Sequence, residues 1–195
     1  MTGKLTLGLY NCYDPKQWQD IMRITLARAA PVAVAFDCHL ATFGFPFEQV
    51  RPRGATKTLA LRTPLDVAHF ATDSTSIGDD GGHLEALAKA GRFTLHDFPV
   101  DGFPRVLGRA VATTPTPDPT KATTPLAVAQ ELASDRDQLL IFGLGPRGLP
   151  DAVMDGARHH LELTGKGISF ETATALGALP AMVSAHLQHL GRRDG

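Results

Sequence analysis

Cysteine is scarce in this chain: Cys12 and Cys38 are the only two among 195 residues. Two thiols cannot build a disulfide framework, and no CxxC pair is present to begin a metal knuckle. Both read as buried free thiols. An excess of charge of one sign is also missing, since 19 Lys and Arg oppose 20 Asp and Glu for a formal net charge of −1. That balance counts against a surface that grips nucleic acid everywhere, and it still permits a local basic patch. No apolar run approaches the roughly 18 residues a membrane span requires. The start, Met1-Thr2-Gly3-Lys4, carries no signal-peptide pattern, so a cytoplasmic protein without membrane association is expected. What is present is ordinary for a globular chain, 43% hydrophobic and 20% charged. The length suits a single domain with a proper core.

The order of elements points to an α/β architecture. Leu5 to Tyr10 reads as a first strand ending at Asn11. Asp14-Pro15, with Gln17 behind them, read as an N-cap, a first helical position and a capping box. Trp18, Ile21, Met22, Thr25 and Ala29 recur at helical spacing, and Pro31 reads as the stop. The apolar run Val32 to Phe36 is then expected as a buried parallel strand, completing a βαβ unit. About residues 47–105 the character changes to an irregular elaboration. Arg51, Arg53, Lys57 and Arg62 make a basic loop, which reads either as a solvated surface or as a contact for RNA phosphates, and Asp73 to Gly82 is its acidic, glycine-rich counterpart before a short helix, His83 to Ala90. α/β order then returns. Val106 to Thr113 is strand-like, and the Thr/Pro segment after it reads as a stiff loop at the edge of a site. Pro125 to Ala133 reads as a helix, Gln138 to Phe142 as a central strand and His160 to Leu163 as a later one. A last helix begins near Ser169, with Leu176, Leu179, Val183, Leu187 and Leu190 on one stripe and a kink expected at Pro180.

Gly143-Leu144-Gly145-Pro146-Arg147-Gly148 matches GxGxxG after a strand, with Glu162 at the distance of a ribose-binding acid. This gives one rival function, a nicotinamide-dependent oxidoreductase. Pro146 and Pro150 stand where the phosphate-binding helix would run, and too little chain follows for a dinucleotide domain. The first turn, Asn11 to Asp14, is not glycine-rich.

A different similarity accommodates these segments together. IFGLGPRGLP (141–150) and LELTGKGISFETATALGALP (161–180) resemble the last two motifs of the SPOUT superfamily of RNA methyltransferases. LYNCYDPKQWQDIMRITLARAA resembles that superfamily's first motif, and the whole chain is similar to an archaeal family of unassigned function within it. The resemblance implies a parallel sheet with helices on both faces and a deep C-terminal trefoil knot, an exception to the rule that chains do not thread loops. It implies S-adenosyl-L-methionine (AdoMet) as cofactor, held by three loops. These are Ala112, Thr113 and Thr114; then Gly143, Leu144, Gly145, Gly148 and Leu149; then Leu163, Gly165, Gly167, Ile168 and Ser169, followed by Thr172 and Leu176 of the last helix. Close backbone approach at the glycines and an apolar slot of Leu144, Leu149, Ile168 and Leu176 suit a folded adenosine. The resemblance further implies Arg28, with Arg23 as competitor, and Asn11 on the acceptor side, and Ser169 and Glu171 across the cleft. Many ribose-methylating members have Glu where this chain has Gly145 and Asn where it has Glu171, so ribose and base acceptors both stay open. The implied function is methylation of a structured RNA, tRNA or rRNA. A homodimer is expected through the stripe on the last helix, with or without the first helix, because that stripe is long for a helix covering only one sheet. The same fold used as a non-catalytic AdoMet- or nucleotide-binding interaction module is the other reading. No metal is expected, because His159 and His160 point to opposite faces of a strand and His186 and His189 lack a third ligand.

Overall fold

The computed structural model describes residues 2–47, 50, 58–73 and 81–191. Its centre is a seven-stranded parallel sheet in the order β3-β2-β1-β6-β4-β7-β5. The strands are β1 (Leu5–Asn11), β2 (His39–Phe43), β3 (Phe93–His96), β4 (Arg109–Thr113), β5 (Ala122–Thr123), β6 (Gln138–Leu144) and β7 (His159–Leu161). The helices are α1 (Asp20–Ala35), α2 (Pro64–Asp73), α3 (Gly81–Lys89), α4 (Pro125–Ala133), α5 (Asp151–Gly156) and α6 (Thr172–Gly191).

Strand periodicity divides the core in two. Leu5, Leu7 and Leu9 of β1 share one cluster with Leu40, Leu140 and Phe142 and with the buried faces of α1, α2, α3, α4 and α6. Tyr10, Ala41, Phe43, Leu139 and Ile141 face the other way, where Leu107 and Val153 of α5 cover them, helped by Phe98 and Phe103. Helices therefore lie on both faces, but five of the six lie on one. The fully buried Leu7, Leu9 and Leu140 each contribute about 1.5–3 kcal/mol from apolar burial.

The second strand lies later than its expected place. Val32 to Ala35 form the last turn of α1, which continues through Pro31. Ala29, Ala30 and Ala33 are buried while Val34 and Ala35 are exposed, a helical spacing rather than an alternating one. The chain reverses at Asp37 (φ 52°), where the Cys38 N–H donates to the Ala33 carbonyl at 2.7 Å. The helix start also differs. Asp14 caps a turn, accepting the Lys16 N–H at 2.9 Å, and α1 begins only at Asp20. Between them Trp18 is fixed by its indole N–H on the Pro46 carbonyl at 2.6 Å and by edge contacts with Phe45 and Phe70. β7 begins and ends earlier than expected, β4 begins at Arg109 after a 3₁₀ turn at Arg105–Leu107, and α6 begins at Thr172 and runs through Pro180. α2, β3 and β5 are additional to the sequence reading.

The stripe on α6 is spent inside the chain: Leu176, Leu179 and Val183 are buried in the main core, and Leu187 and Leu190 pack against it. Its length is thus explained by α4 and α1 as well as the sheet, not by an uncovered face. Met182 of α6 and Leu126 of α4 remain exposed.

Candidate functional site

In a parallel sheet, loops that follow neighbouring strands emerge at one edge, the usual place for a ligand. β4, β6 and β7 are neighbours, so the loops after Thr113, Leu144 and Leu161 leave the carboxyl edge side by side. The first is braced from both flanks. The Thr113 hydroxyl donates to the Ile141 carbonyl at 2.9 Å, and the Thr114 N–H donates to the Leu161 carbonyl at 3.1 Å. The Thr114 hydroxyl then accepts the Thr116 N–H at 3.1 Å, stiffening the Thr/Pro segment.

The third loop folds around Glu162. Its carboxylate accepts the Thr164 hydroxyl at 2.8 Å and the Gly165 N–H. Partial desolvation pushes the Glu162 carboxyl upward, but the hydroxyl and backbone donors of Thr164, with the Gly165 and Gly167 amides, outweigh it and hold it below its ordinary value. The carboxylate the dinucleotide reading would turn to a ribose is thereby committed to its own loop. Gly167 (φ +67°) passes so close to the first loop that a Cβ there would stand 3.4 Å from the Pro115 carbonyl. A pocket of about 70 Å³ opens between the two loops, lined by Thr113, Thr114, Pro115, Leu163, Ile168 and Ser169, with Leu161, Phe170, Ala175 and Leu179 completing it.

The second loop adjoins through α6. The Thr172 hydroxyl donates to the Gly143 carbonyl at 2.9 Å, fastening the start of the last helix to the end of β6. Gly145, at φ +147°, lies against the turn after β1, where a Cβ would come within 2.9 Å of the Cys12 Cβ. Only glycine fits there. Burial raises the Cys12 thiol above its ordinary value, opposed by the Leu144 backbone hydrogen bond and the nearby Arg147 charge.

The cofactor residues named from sequence therefore stand in different places. Thr113, Thr114, Leu163, Ile168 and Ser169 share the pocket, and Gly143 and Thr172 join across the hydrogen bond just described. Gly165 and Gly148 are exposed loop positions, and Ala112 is fully buried in β4. The apolar slot is made differently from its sequence description. Leu144 continues the face of Leu140 and Phe142 into the main core, and Leu149 packs on the opposite face. Leu176 is buried beneath the site. Leu161, Phe170, Ala175 and Leu179 replace them. Ala175 and Leu179 stand one helical turn apart, and Ile168 and Phe170, 50% and 40% exposed, flank Ser169. That apolar-Ser-apolar triplet after two glycines was the available sequence signal.

The acceptor-side residues are dispersed. Asn11 is buried, its amide donating to the Gly44 carbonyl at 2.8 Å and its oxygen accepting the Tyr13 N–H at 2.8 Å. It fixes the turn after β1 to the end of β2. Arg23 pairs with Asp20 at 3.0 Å and lies over the Phe70 ring at 5.3 Å. Arg28 is exposed on α1, eight residues or about 12 Å along the axis from the helix start, and does not line the pocket. Glu171 caps α6, its carboxylate accepting the Ala173 N–H at 3.2 Å. Of the basic loop, Arg62 is exposed, while Arg51, Arg53 and Lys57 lie outside the described residues.

His160 is structural, its Nδ1 accepting the Asp118 N–H at 3.1 Å and its Nε2 facing the Met154 carbonyl at 2.9 Å. Among the described residues no group of three or more His, Cys, Asp or Glu side chains could hold a metal ion. No helix among them is long and apolar enough to cross a membrane.

Comparison with known proteins gives a consistent fold. The family described as protein of unknown function (DUF531) matches residues 5–184. An uncharacterized protein of Methanocaldococcus jannaschii is 36% identical over 187 residues, covering 96% of this chain and 97% of its own. Among solved structures, the AdoMet-bound rRNA methyltransferase of Sinorhizobium meliloti aligns with TM-score 0.58 and 14% identity, over 96% of this chain and 58% of that one. TrmJ of Z. mobilis aligns with TM-score 0.53 and 14% identity, over 95% and 70%. A protein solved for its part in 2-OH methylation of C/U34 on tRNA aligns with TM-score 0.54 and 21% identity, over 96% and 98%. At these identities the alignments show a fold shared with those three proteins.

Proposed function

This chain belongs to the DUF531 family, and from its fold and its carboxyl-edge pocket we propose that it is an AdoMet-dependent methyltransferase of structured RNA, tRNA or rRNA. The observation that carries the proposal is the junction of three loops: Thr113–Pro115 and Leu163–Phe170 bound one pocket, and the Thr172 hydroxyl ties the third strand end, Gly143, to it. The insertion of β6 between the earlier strands β1 and β4 is consistent with the trefoil threading we propose with it.

The fit to AdoMet depends on the third loop. A pocket of 70 Å³ is smaller than the 300 Å³ or so typical of ligand sites. The whole stretch from Thr164 to Glu171 is exposed, and it would have to lift for a ligand to lie across Gly143 and Thr113. Ile168 and Phe170 would cover an adenine ring and backbone groups of the glycine-bearing loops would hold its edge, with Ser169 at the rim. The bound cofactor supplies an already activated methyl group. What remains for the protein is in-line positioning and removal of one acceptor proton. Ser169 lines the pocket with the Thr113 and Thr114 hydroxyls, and Glu171 follows it at the start of α6. Arg28 does not line its own pocket, so in the homodimer we propose it would serve the pocket of the other copy. Gly145 and Glu171 leave both ribose and base acceptors in view.

The test is transfer of labelled methyl from AdoMet to bulk RNA, wild type against Arg28→Ala. Transfer reduced at least tenfold in the variant supports the reading. No transfer to any RNA fraction, with AdoMet still bound, leaves the non-catalytic binding module, which the commitment of Glu171 to its helix cap favours.

A further inference from the structure

At the amino edge of the sheet, opposite the pocket, a much roomier cleft of about 940 Å³ opens beside the starts of β4, β6 and β7. Its charge is distinctive for a chain of net −1. Arg105, Arg109, Arg136 and Arg158 all line it. Arg109 and Arg136 share one carboxylate, Glu131, at 2.8 and 2.7 Å. Arg105 and Arg158 have no ion-pair partner among the described residues. The cleft's acidic lining is Asp135 and Asp137, and Asp137 is already paired with Lys4 at 3.4 Å. The lining thus sets four arginines against two carboxylates, a surplus of two positive charges on one concave surface. The rest of the lining is mainly glycine, Gly102, Gly108 and Gly156, with Phe103 and Ala110 the only apolar side chains. Such a surface offers little to an apolar ligand and much to spaced anions, and planar guanidiniums match phosphate oxygens in pairs.

We propose that this cleft is a second RNA site, binding phosphodiester backbone through Arg105 and Arg158. It rests on the RNA part of the proposed function but not on catalysis. β6 runs from the cleft edge at Gln138 to the pocket edge at Leu144, and seven residues at about 3.3 Å put the two sites roughly 20 Å apart. One nucleotide cannot fill both, so the cleft selects for RNA that continues well beyond the modified residue.

The test measures binding of a fluorescein-labelled 20-base-pair RNA duplex and of a labelled trinucleotide to the full chain across a salt series. Wild type, Arg105→Ala/Arg158→Ala and Arg105→Lys/Arg158→Lys are compared, with AdoMet binding followed in parallel. The Ala pair is expected to lower the log–log salt slope for the duplex by about two and its affinity roughly tenfold at low salt. The Lys pair should retain the slope, and the trinucleotide and AdoMet should be bound as by wild type. An unchanged duplex slope in the Ala pair overturns the proposal, as does loss of poly-glutamate binding with RNA binding intact, which marks the cleft as a site for acidic protein. So does an effect confined to melting temperature, which reduces the arginines to partners of the nearby ends of α4 and α5. Loss of AdoMet binding in wild type leaves this result standing and counts only against the methyltransferase.

Discussion

Thr172→Val removes one hydroxyl at the point where the last helix meets the end of β6. The bond it deletes is 2.9 Å long and partly buried, with the Gly143 carbonyl as acceptor. A partly buried neutral hydrogen bond contributes about 1 kcal/mol net, and valine at the first helical position adds only a few tenths through its poorer propensity. Urea unfolding followed through Trp18, which is the only tryptophan and is buried in the main core, should show the midpoint lower by about 0.5 M for a slope near 2 kcal/mol/M. If the tie holds the second loop in register with the third, AdoMet titrated calorimetrically should bind about fivefold more weakly, the same 1 kcal/mol read at the ligand. A lower midpoint with unchanged AdoMet affinity would refute the reasoning, because the bond would then serve stability alone and the loops would not act as one site.

Glu162→Gln keeps the side chain's size but replaces a charged acceptor with a neutral one at the centre of the third loop. AdoMet affinity should fall about three- to tenfold at neutral pH, with faster amide exchange over residues 163–170. Because the native carboxyl lies below its ordinary value of 4.5, its contribution is present above that value and lost as pH falls through the depressed one. Wild-type binding should thus be level from pH 6 to 8, and a decline there would contradict the assignment. Gly143→Ala places a Cβ 3.0 Å from the Leu149 amide nitrogen, a backbone neighbour that cannot swing aside. About 1–3 kcal/mol of destabilisation is expected by urea unfolding. Cys38 is fully buried and its thiol is pushed up to about 12, chiefly by desolvation. The unfolded thiol ionises first, so wild type should lose stability relative to Cys38→Ala by about 1.4 kcal/mol per pH unit above pH 9. Parallel stability curves from pH 9 to 11 would show that the thiol has no part in alkaline unfolding.

The sequence was most readable where one period held without interruption. β1 and α4 lie where the hydrophobic pattern put them, and β6 starts where it was expected; Thr124 caps α4 through the Ala127 N–H. Val32 to Phe36 misled because five apolar residues fit a strand or a helix end equally well, and only the burial of Ala29, Ala30 and Ala33 separates the two. β3 is a four-residue edge strand, Phe93–His96, too short to announce itself. The second and third loops were legible from their glycines and the first from its Thr/Pro run. Their lining was not, because it depends on which face each residue occupies. β6 extends two residues beyond its expected end, and period two then turns Leu144 into the core. The amino-edge arginines come from three separate segments, 102–110, 135–137 and 156–158, and converge only in the fold.

Photo-crosslinking with methyl-labelled AdoMet, followed by peptide mapping, tests most directly whether the carboxyl-edge loops hold the cofactor. Label should appear in peptides containing Thr113–Pro115 and Leu163–Phe170, be displaced by S-adenosylhomocysteine and be untouched by NAD. Label confined to other peptides, or removed by NAD and not by S-adenosylhomocysteine, would contradict it.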